Sequence, residues 1–316
     1  MSRLRERGSY HFWFILPDAP EGPVLETVDL DAALSRDEYQ RVFPPLEERL
    51  RRLQYALLEA EVPTIVAFEG WDAAGKGTVI QRLTRKLDPR AFQAWPGSPP
   101  SELERRYHFL WRYQVRLPED GHMTLFDHSW YGRVLVDRVE KWVRRRDWEG
   151  AYAQINELER WLTDDGQVVV KLWFHISQKE QRRRLRKMEK DPAERWKVEK
   201  EDWRRNRRYD RWAEAAEDML ALTDTQAAPW TIVAATDARW TRVKVFRTLV
   251  ERMQAALDRR QQAPASVSRT QMAEVATRES RHRRAKEDLA RARTVAHDAG
   301  LPLEDPAFFV SSGDEK

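Results

Sequence analysis

The chain has 316 residues, with 56 basic against 52 acidic side chains and a net charge of +4. That length holds two ordinary domains or one larger domain with appendages. No Cys is present, which removes disulfides, thiolate-bound metals, iron–sulfur clusters and a Cys nucleophile together. The early apolar run at residues 11–16 stops at Pro17 and Asp18, short of a secretory signal and far short of a membrane span. The expectation is a soluble, cytoplasmic protein with no membrane partner. Fourteen Trp, eleven Phe and eight Tyr supply bulky apolar area for a core.

Along the chain there is no repeat of 20–50 residues. Residues 1–35 read as irregular, with Pro17, Pro20, Gly22 and Pro23. Residues 35–60 read as a helix, because Leu46, Leu50, Leu53 and Leu57 recur at spacings of three and four. Ser35 and Glu38 spell a capping box at its start. Residues 62–69 (VPTIVAFE) read as a buried strand and lead into GWDAAGKGT and a helix to Lys86. Further strand-like runs lie at 122–127, 168–176 and 230–234. Helical stretches are expected at about 101–113, 131–163, 178–224 and 240–257, with Pro192 dividing the third. This alternation predicts an α/β fold: a parallel sheet of about five strands with helices on both faces. The expected division is an N-terminal arm and helix at 1–61, a core at 62–258 and a charged C-terminal tail at 259–316.

The first motif is Gly70-Trp71-Asp72-Ala73-Ala74-Gly75-Lys76-Gly77-Thr78. It has the form G-x-x-x-x-G-K between a predicted strand and a predicted helix, which is a phosphate-binding P-loop. Glycines let backbone N–H groups converge on phosphate oxygens, and the helix start adds its positive end. Gly70, Ala73, Ala74, Gly75, Lys76, Gly77 and Thr78 are therefore the expected phosphate cradle, with Lys76 supplying a point charge. Gly77 occupies the position where a magnesium-binding Ser or Thr usually stands, and Thr78 follows one place later. Asp72 is the expected replacement metal ligand; the plainer reading is a carboxylate capping its own loop.

The second motif is Phe126-Asp127-His128-Ser129-Trp130-Tyr131-Gly132-Arg133. Asp127 ends an apolar strand, where a magnesium-binding carboxylate belongs in such a core. Ligands of open α/β sheets sit beyond the carboxyl ends of the strands, so Asp127 and the 70–78 loop are expected to face one crevice. Arg133 is a candidate for stabilising transferred phosphoryl charge, against a plain surface role. The third feature is residues 181–211, with fourteen Lys or Arg against seven Asp or Glu. Its net charge of +7 exceeds that of the whole chain, so it forms a local basic footprint. Its place after the fourth strand suits a helical lid, at about 178–224, over the phosphates. Arg183 and Arg184 are the expected phosphate ligands there. Trp196, Trp203 and Trp212 are expected to anchor that lid to the core. The seven His are scattered, and none forms a metal cluster with its neighbours in sequence.

These residues, together with WPGSPP at 95–100, FLWR at 109–112 and ERWK at 194–197, resemble the polyphosphate kinase 2 family. The similarity runs from about Val24 to Met253, and the wording is most like the branch that phosphorylates AMP. The resemblance implies a P-loop kinase-like core with a helical lid, a magnesium requirement, and phosphoryl transfer between inorganic polyphosphate and a nucleotide. It places the family's loop aspartate, lysine and second aspartate on Asp72, Lys76 and Asp127, its arginine on Arg133, and a lid arginine near Arg183. The family's usual DRSWY reads DHSWY here, with His128 for the arginine.

The expected activity is therefore transfer of the terminal phosphate of polyphosphate to AMP, giving ADP. A nucleoside diphosphate (ADP or GDP) is the second acceptor. One rival is an ATP-dependent nucleotide kinase on the same core. The other is a nucleic-acid-binding protein using the basic stretch and its Trp residues, against which the balanced charge and two motif carboxylates argue. A homo-oligomer is compatible with all of these.

Overall fold

The computed structural model describes residues 24–262, with residues 283–284 and 286–287. Cα proximity separates residues 1–262 from residues 263–316. Of the second unit only those four residues are described, and they are helical. The start at 1–23 lies outside the described residues; of the tail expected at 259–316, residues 259–262 are the end of a helix and, beyond them, only 283–284 and 286–287 are described.

In chain order, α1 (Arg36–Glu59) precedes β1 (Thr64–Gly70), α2 (Lys76–Thr84) and β2 (Phe92–Trp95). A short α3 (Trp111–Gln114) leads to β3 (Met123–Asp127). Then come α4 (Val136–Val139), α5 (Arg145–Glu149), α6 (Ala151–Asp164) and β4 (Val168–His175). Finally α7 (Gln178–Lys190), α8 (Lys200–Arg207) and α9 (Tyr209–Thr223) lead to β5 (Trp230–Ala234) and α10 (Ala238–Gln262). The sheet has the order β2-β3-β1-β4-β5, and every pair is parallel. Right-handed crossovers carry α2 to one face on the way to β2, and α6 and α9 to the other on the way to β4 and β5. Lys171 of β4 meets Glu159 of α6 and the carbonyl of Thr223 of α9, which fixes that second face.

α1 starts as the sequence expects. The Ser35 hydroxyl accepts from the Glu38 N–H at 3.2 Å, and the Glu38 carboxylate accepts from the Ser35 N–H at 2.9 Å. Its inner face buries Phe43, Leu50, Leu53 and Leu57, and Phe43 meets Phe246 of α10 edge-on at 4.9 Å. Strands β1 and β4 are almost wholly buried, the signature of central parallel strands.

Three expectations change. Residues 101–113 hold only a 3₁₀ turn (Glu104–Arg106) and the start of α3; side-chain bonds tie the loop down, with Arg112 donating to the Ser98 carbonyl and Arg116, just beyond, pairing with Glu104. Residues 131–163 are not one helix; the chain makes a 3₁₀ turn (Trp130–Arg133), α4, α5 and α6, with Lys141 in the left-handed region at φ 58° between α4 and α5. The edge strand β2 (FQAW) carries no contiguous apolar run and is half exposed, so periodicity does not reveal it.

Candidate active site

The ends of β1 and β3 lie side by side, with Phe68 opposite Asp127 in register. β1 passes directly into the phosphate loop. Gly70 has φ 134°, and a Cβ there would stand 2.4 Å from the Phe174 carbonyl oxygen, so the close approach of β4 demands glycine. Gly75 has φ 100° and immediately precedes α2. The first bond of α2 runs from the Val79 N–H to the Gly75 carbonyl. The amides of Lys76, Gly77 and Thr78 are therefore left for an anion at the helix's positive end. Gly77 and Thr78 are exposed, and a Cβ on Gly77 would meet nothing within 4 Å. Open space above this turn is what a phosphate cradle needs.

Lys76 is buried, and its ammonium donates to the carbonyls of Gly70 at 2.8 Å and Trp71 at 3.0 Å. These bonds hold the cation over the loop. Trp71 packs inward: its indole N–H donates to His175 Nδ1 at 2.9 Å and its ring stacks on Tyr209 at 4.0 Å. Burial lowers the His175 pKa to about 4, so the imidazole is neutral and its Nδ1 is free to accept.

Asp127 is half buried, and its Oδ1 is shielded from solvent with no hydrogen-bond partner among the described residues. An anionic oxygen left this way is unfavourable unless a cation completes it. That donor suits a hard divalent ion such as magnesium. Asp72 accepts from Arg205 Nη1 of α8 at 3.3 Å. No group of three His, Cys, Asp or Glu forms a complete metal cage among the described residues. Magnesium at kinase sites takes only one or two protein carboxylates and completes its shell with water and phosphate oxygens, so the unmatched Asp127 oxygen fits such an ion, while Asp72 is held by Arg205.

The residues after Asp127 turn into the core. His128 sits at φ 66°, and Ser129 gives both its N–H (2.7 Å) and its hydroxyl (2.8 Å) to one oxygen of the buried Glu69. Trp130 and Tyr131 donate to Glu159, which is paired with Lys171 at 2.8 Å in full burial. Burial pushes the Tyr131 hydroxyl well up, helped by Glu159, and pulls the Lys171 ammonium down against Glu159's attraction. This sealed network fixes the turn that carries Asp127.

The polyphosphate kinase 2 (PPK2) family model matches residues 33–261. The chain belongs to that family. It is 41% identical over 240 residues to a polyphosphate:AMP phosphotransferase of Pseudomonas syringae pv. tomato, covering 76% of this chain and 48% of the relative. It is 34% identical over 232 residues to an ADP-polyphosphate phosphotransferase of Pseudomonas aeruginosa, covering 73% and 76%. The crystal structure of polyphosphate kinase 2 from Arthrobacter aurescens TC1 superposes with a TM-score of 0.71 at 27% identity, covering 82% of this chain and 94% of that one. The chain spans about half the length of the polyphosphate:AMP phosphotransferase it matches.

In this member of the polyphosphate kinase 2 family, the arginines named from sequence are already engaged. Arg184 donates to Glu180 and to the carbonyls of Ala73, Ala235 and Thr236, so it ties α7 to the phosphate loop instead of offering a free fork. Arg183 pairs with Glu180 at 2.7 Å with its side chain 65% exposed. Glu180 lies between the two, and their hydrogen bonds hold its carboxyl below the usual range. Arg133 pairs with Asp137 at 3.0 Å and covers the Phe109 ring. Trp212 packs on the core, but Trp196 is 74% exposed and meets no part of the core among the described residues. The inner face of α9 (Ala215, Ala216, Met219, Leu220) is core, so the solvated, basic part of 178–224 is narrower than that range.

Four residues of the site went unnamed in the sequence. Arg205 lay inside the basic footprint, with nothing to distinguish it from its neighbours. Gln181 donates to the Asp72 carbonyl at 3.2 Å, and Asn206 of α8 donates to Gln181 at 2.9 Å, linking the lid to the loop. Glu69 had one signal: a carboxylate inside an otherwise apolar strand.

Proposed function

We propose that this chain transfers the terminal phosphate of inorganic polyphosphate to a nucleotide, with AMP the preferred acceptor. A phosphate oxygen of AMP attacks the terminal phosphorus. The bond to the penultimate phosphate breaks, giving ADP and a polymer one unit shorter. The observation that carries this reading is the Phe68–Asp127 register, which brings the phosphate loop and a carboxylate with an unmatched oxygen to one edge of the sheet. The names of its polyphosphate kinase 2 relatives support the substrates.

The chemistry is mainly positioning and charge neutralisation. Lys76 and the N–H groups of residues 76–78 bind and orient the phosphate under transfer. Asp72 and Asp127 would hold magnesium, which supplies neutralisation of phosphate charge when bound. In this reading Arg133 and Arg205 turn to oxygens of the donor when they leave the ion pairs with Asp137 and Asp72. Catalysis takes place in the cytoplasm in this reading; no described helix is long and apolar enough to cross a membrane.

A second acceptor class, ADP or GDP, is favoured by the match to the ADP-polyphosphate phosphotransferase, which covers 76% of that relative. Incubation with magnesium, polyphosphate and each of AMP, ADP, GMP and GDP, with product identification, separates the two. ADP formed from AMP and polyphosphate is the expected result. Product formation with ATP as donor and none with polyphosphate would overturn the proposal.

A further inference from the structure

We propose that Glu69 is a positioning residue: its buried carboxylate aims Asp127 by holding the Asp127–Ser129 turn against the first residue of the phosphate loop. The inference rests on Asp127 being a metal ligand, as proposed above.

A carboxylate beside a phosphate site repels the substrate, and burying it is costly. Glu69 is nevertheless 1% exposed. What it does there follows from the ladder. β1 and β3 pair through Phe68 and Asp127, and the His128 N–H makes one more bond, to the Phe68 carbonyl at 3.1 Å. There the β3 chain departs, with His128 in the left-handed region. The next amide, that of Ser129, has no strand carbonyl to meet. Glu69 Oε1 takes it, together with the Ser129 hydroxyl, while Oε2 faces His128 Nδ1 at 3.3 Å. The side chain thus continues the ladder through the turn. A backbone carbonyl could not reach both Ser129 donors and the imidazole.

Asp127 needs this help. Its Oδ1 has no hydrogen bond of its own among the described residues, so nothing at the carboxylate fixes its direction. Its aim is set by the turn on which it rides. Gly97 presses that turn from outside, since a Cβ there would stand 2.8 Å from the Asp127 carbonyl and 2.8 Å from the His128 ring. On the other side, Glu69 is followed by Gly70, where the phosphate loop begins. One buried side chain therefore sets the spacing between the loop and the metal-binding carboxylate.

The test uses the full chain, with Mn²⁺ as probe, its binding followed by electron paramagnetic resonance beside steady-state kinetics and thermal melting. Glu69→Ala is expected to weaken Mn²⁺ binding about 10-fold and lower kcat by up to about 10²-fold, the range for losing an orienting partner of a ligand. KM for AMP should stay within about 3-fold, since the defect is in aim and not in substrate contact. Glu69→Gln keeps an oxygen that accepts both Ser129 donors and should restore Mn²⁺ binding to within about 3-fold of the parent. If Glu69→Ala does not fold, Ser129→Ala carries the test, with an expected loss of about 3- to 10-fold in kcat and Mn²⁺ affinity. A folded Glu69→Ala, or failing it Ser129→Ala, with parental Mn²⁺ binding and kcat overturns the proposal. So does a Glu69→Gln as defective as Glu69→Ala. Asp127→Asn separates the two layers: if it leaves Mn²⁺ binding intact, Asp127 is not the ligand and the underlying reading fails; if it abolishes binding while Glu69→Ala does not, only the positioning role fails.

Discussion

The phosphate loop and the outer surface of α7 are both cationic, but they are built in opposite ways. In the loop, Lys76 is buried and held by two carbonyls, Gly70 is wedged against β4, and Trp71 is locked between His175 and Tyr209. On α7, Arg182, Arg186, Lys187 and Lys190 line an open groove of about 850 Å³ with Lys179 and Asp31. The first arrangement removes conformational freedom before substrate arrives, which is what transition-state stabilisation requires. The second keeps its charges in water, where they attract a polyanion at long range and are weakened by salt. Under the proposed function the first region would serve the chemistry and the second the capture of the polymer.

The strongest way to break this comparison is Lys76→Ala. A preorganised cation at the transferred phosphate is worth about 10²- to 10³-fold in kcat. Steady-state rates with AMP and polyphosphate are expected to fall by that much while the far-ultraviolet spectrum stays the same. A variant within about 3-fold of the parent would show that the buried cation is structural only.

His175 gives the next effect, on stability. Its folded pKa of about 4 lies below the ordinary 6.5, because burial disfavours the imidazolium. The unfolded chain therefore binds more protons between about pH 6.5 and about pH 4, and stability falls as pH is lowered through that window. At the acid end the loss is about 3 kcal/mol at 1.36 kcal/mol per unit. Protonation also removes the acceptor for the Trp71 indole, so loop order should fail with it. Urea titrations at pH 7 and pH 5 on the parent and on His175→Gln check this. The parent should lose more stability than the variant, and equal losses would assign the acid sensitivity to other groups.

The legibility of the sequence follows the same division. β1, β3, β4 and β5, the capping box of α1 and the phosphate loop were readable, because burial on both faces writes continuous apolar runs and the cradle requires glycine at fixed spacing. Asp127 stands out through its place at the end of β3. The supports were not readable. Glu69, Gln181 and Asn206 act through side-chain bonds across 60, 109 and 25 positions of sequence. No local pattern marks such pairs. Arg183 and Arg184 stand out because composition counts charges without their partners; their pairing with Glu180, three and four residues away, is not legible in it.

Arg205 joins the two regions, being a lid cation in contact with Asp72. Arg205→Ala should lower kcat by about 10-fold, the scale of one charge-assisted contact in a partly solvated setting. Because the ion pair competes with metal for Asp72, the same variant should need less magnesium for half-maximal rate, not more. A higher magnesium requirement would mean that Arg205 orders Asp72 for the ion and does not compete with it.

The smallest effect belongs to the capture surface. Arg182→Ala with Arg186→Ala removes two groove cations that make no ion pair among the described residues and leaves Arg184 in place to tether the loop. For long polyphosphate, KM should rise about 3- to 10-fold at low salt with kcat unchanged, because only attraction outside the reacting centre is lost. Each neutralised contact should reduce the slope of log affinity against log salt by a fraction of one, close to the value for single-stranded polyanions. Short polyphosphate, if it does not reach the groove, should be nearly indifferent. Equal losses for long and short polymer would mean that the two arginines serve the reacting end, and the separation between a rigid chemical site and a solvated capture surface would have to be redrawn inside α7.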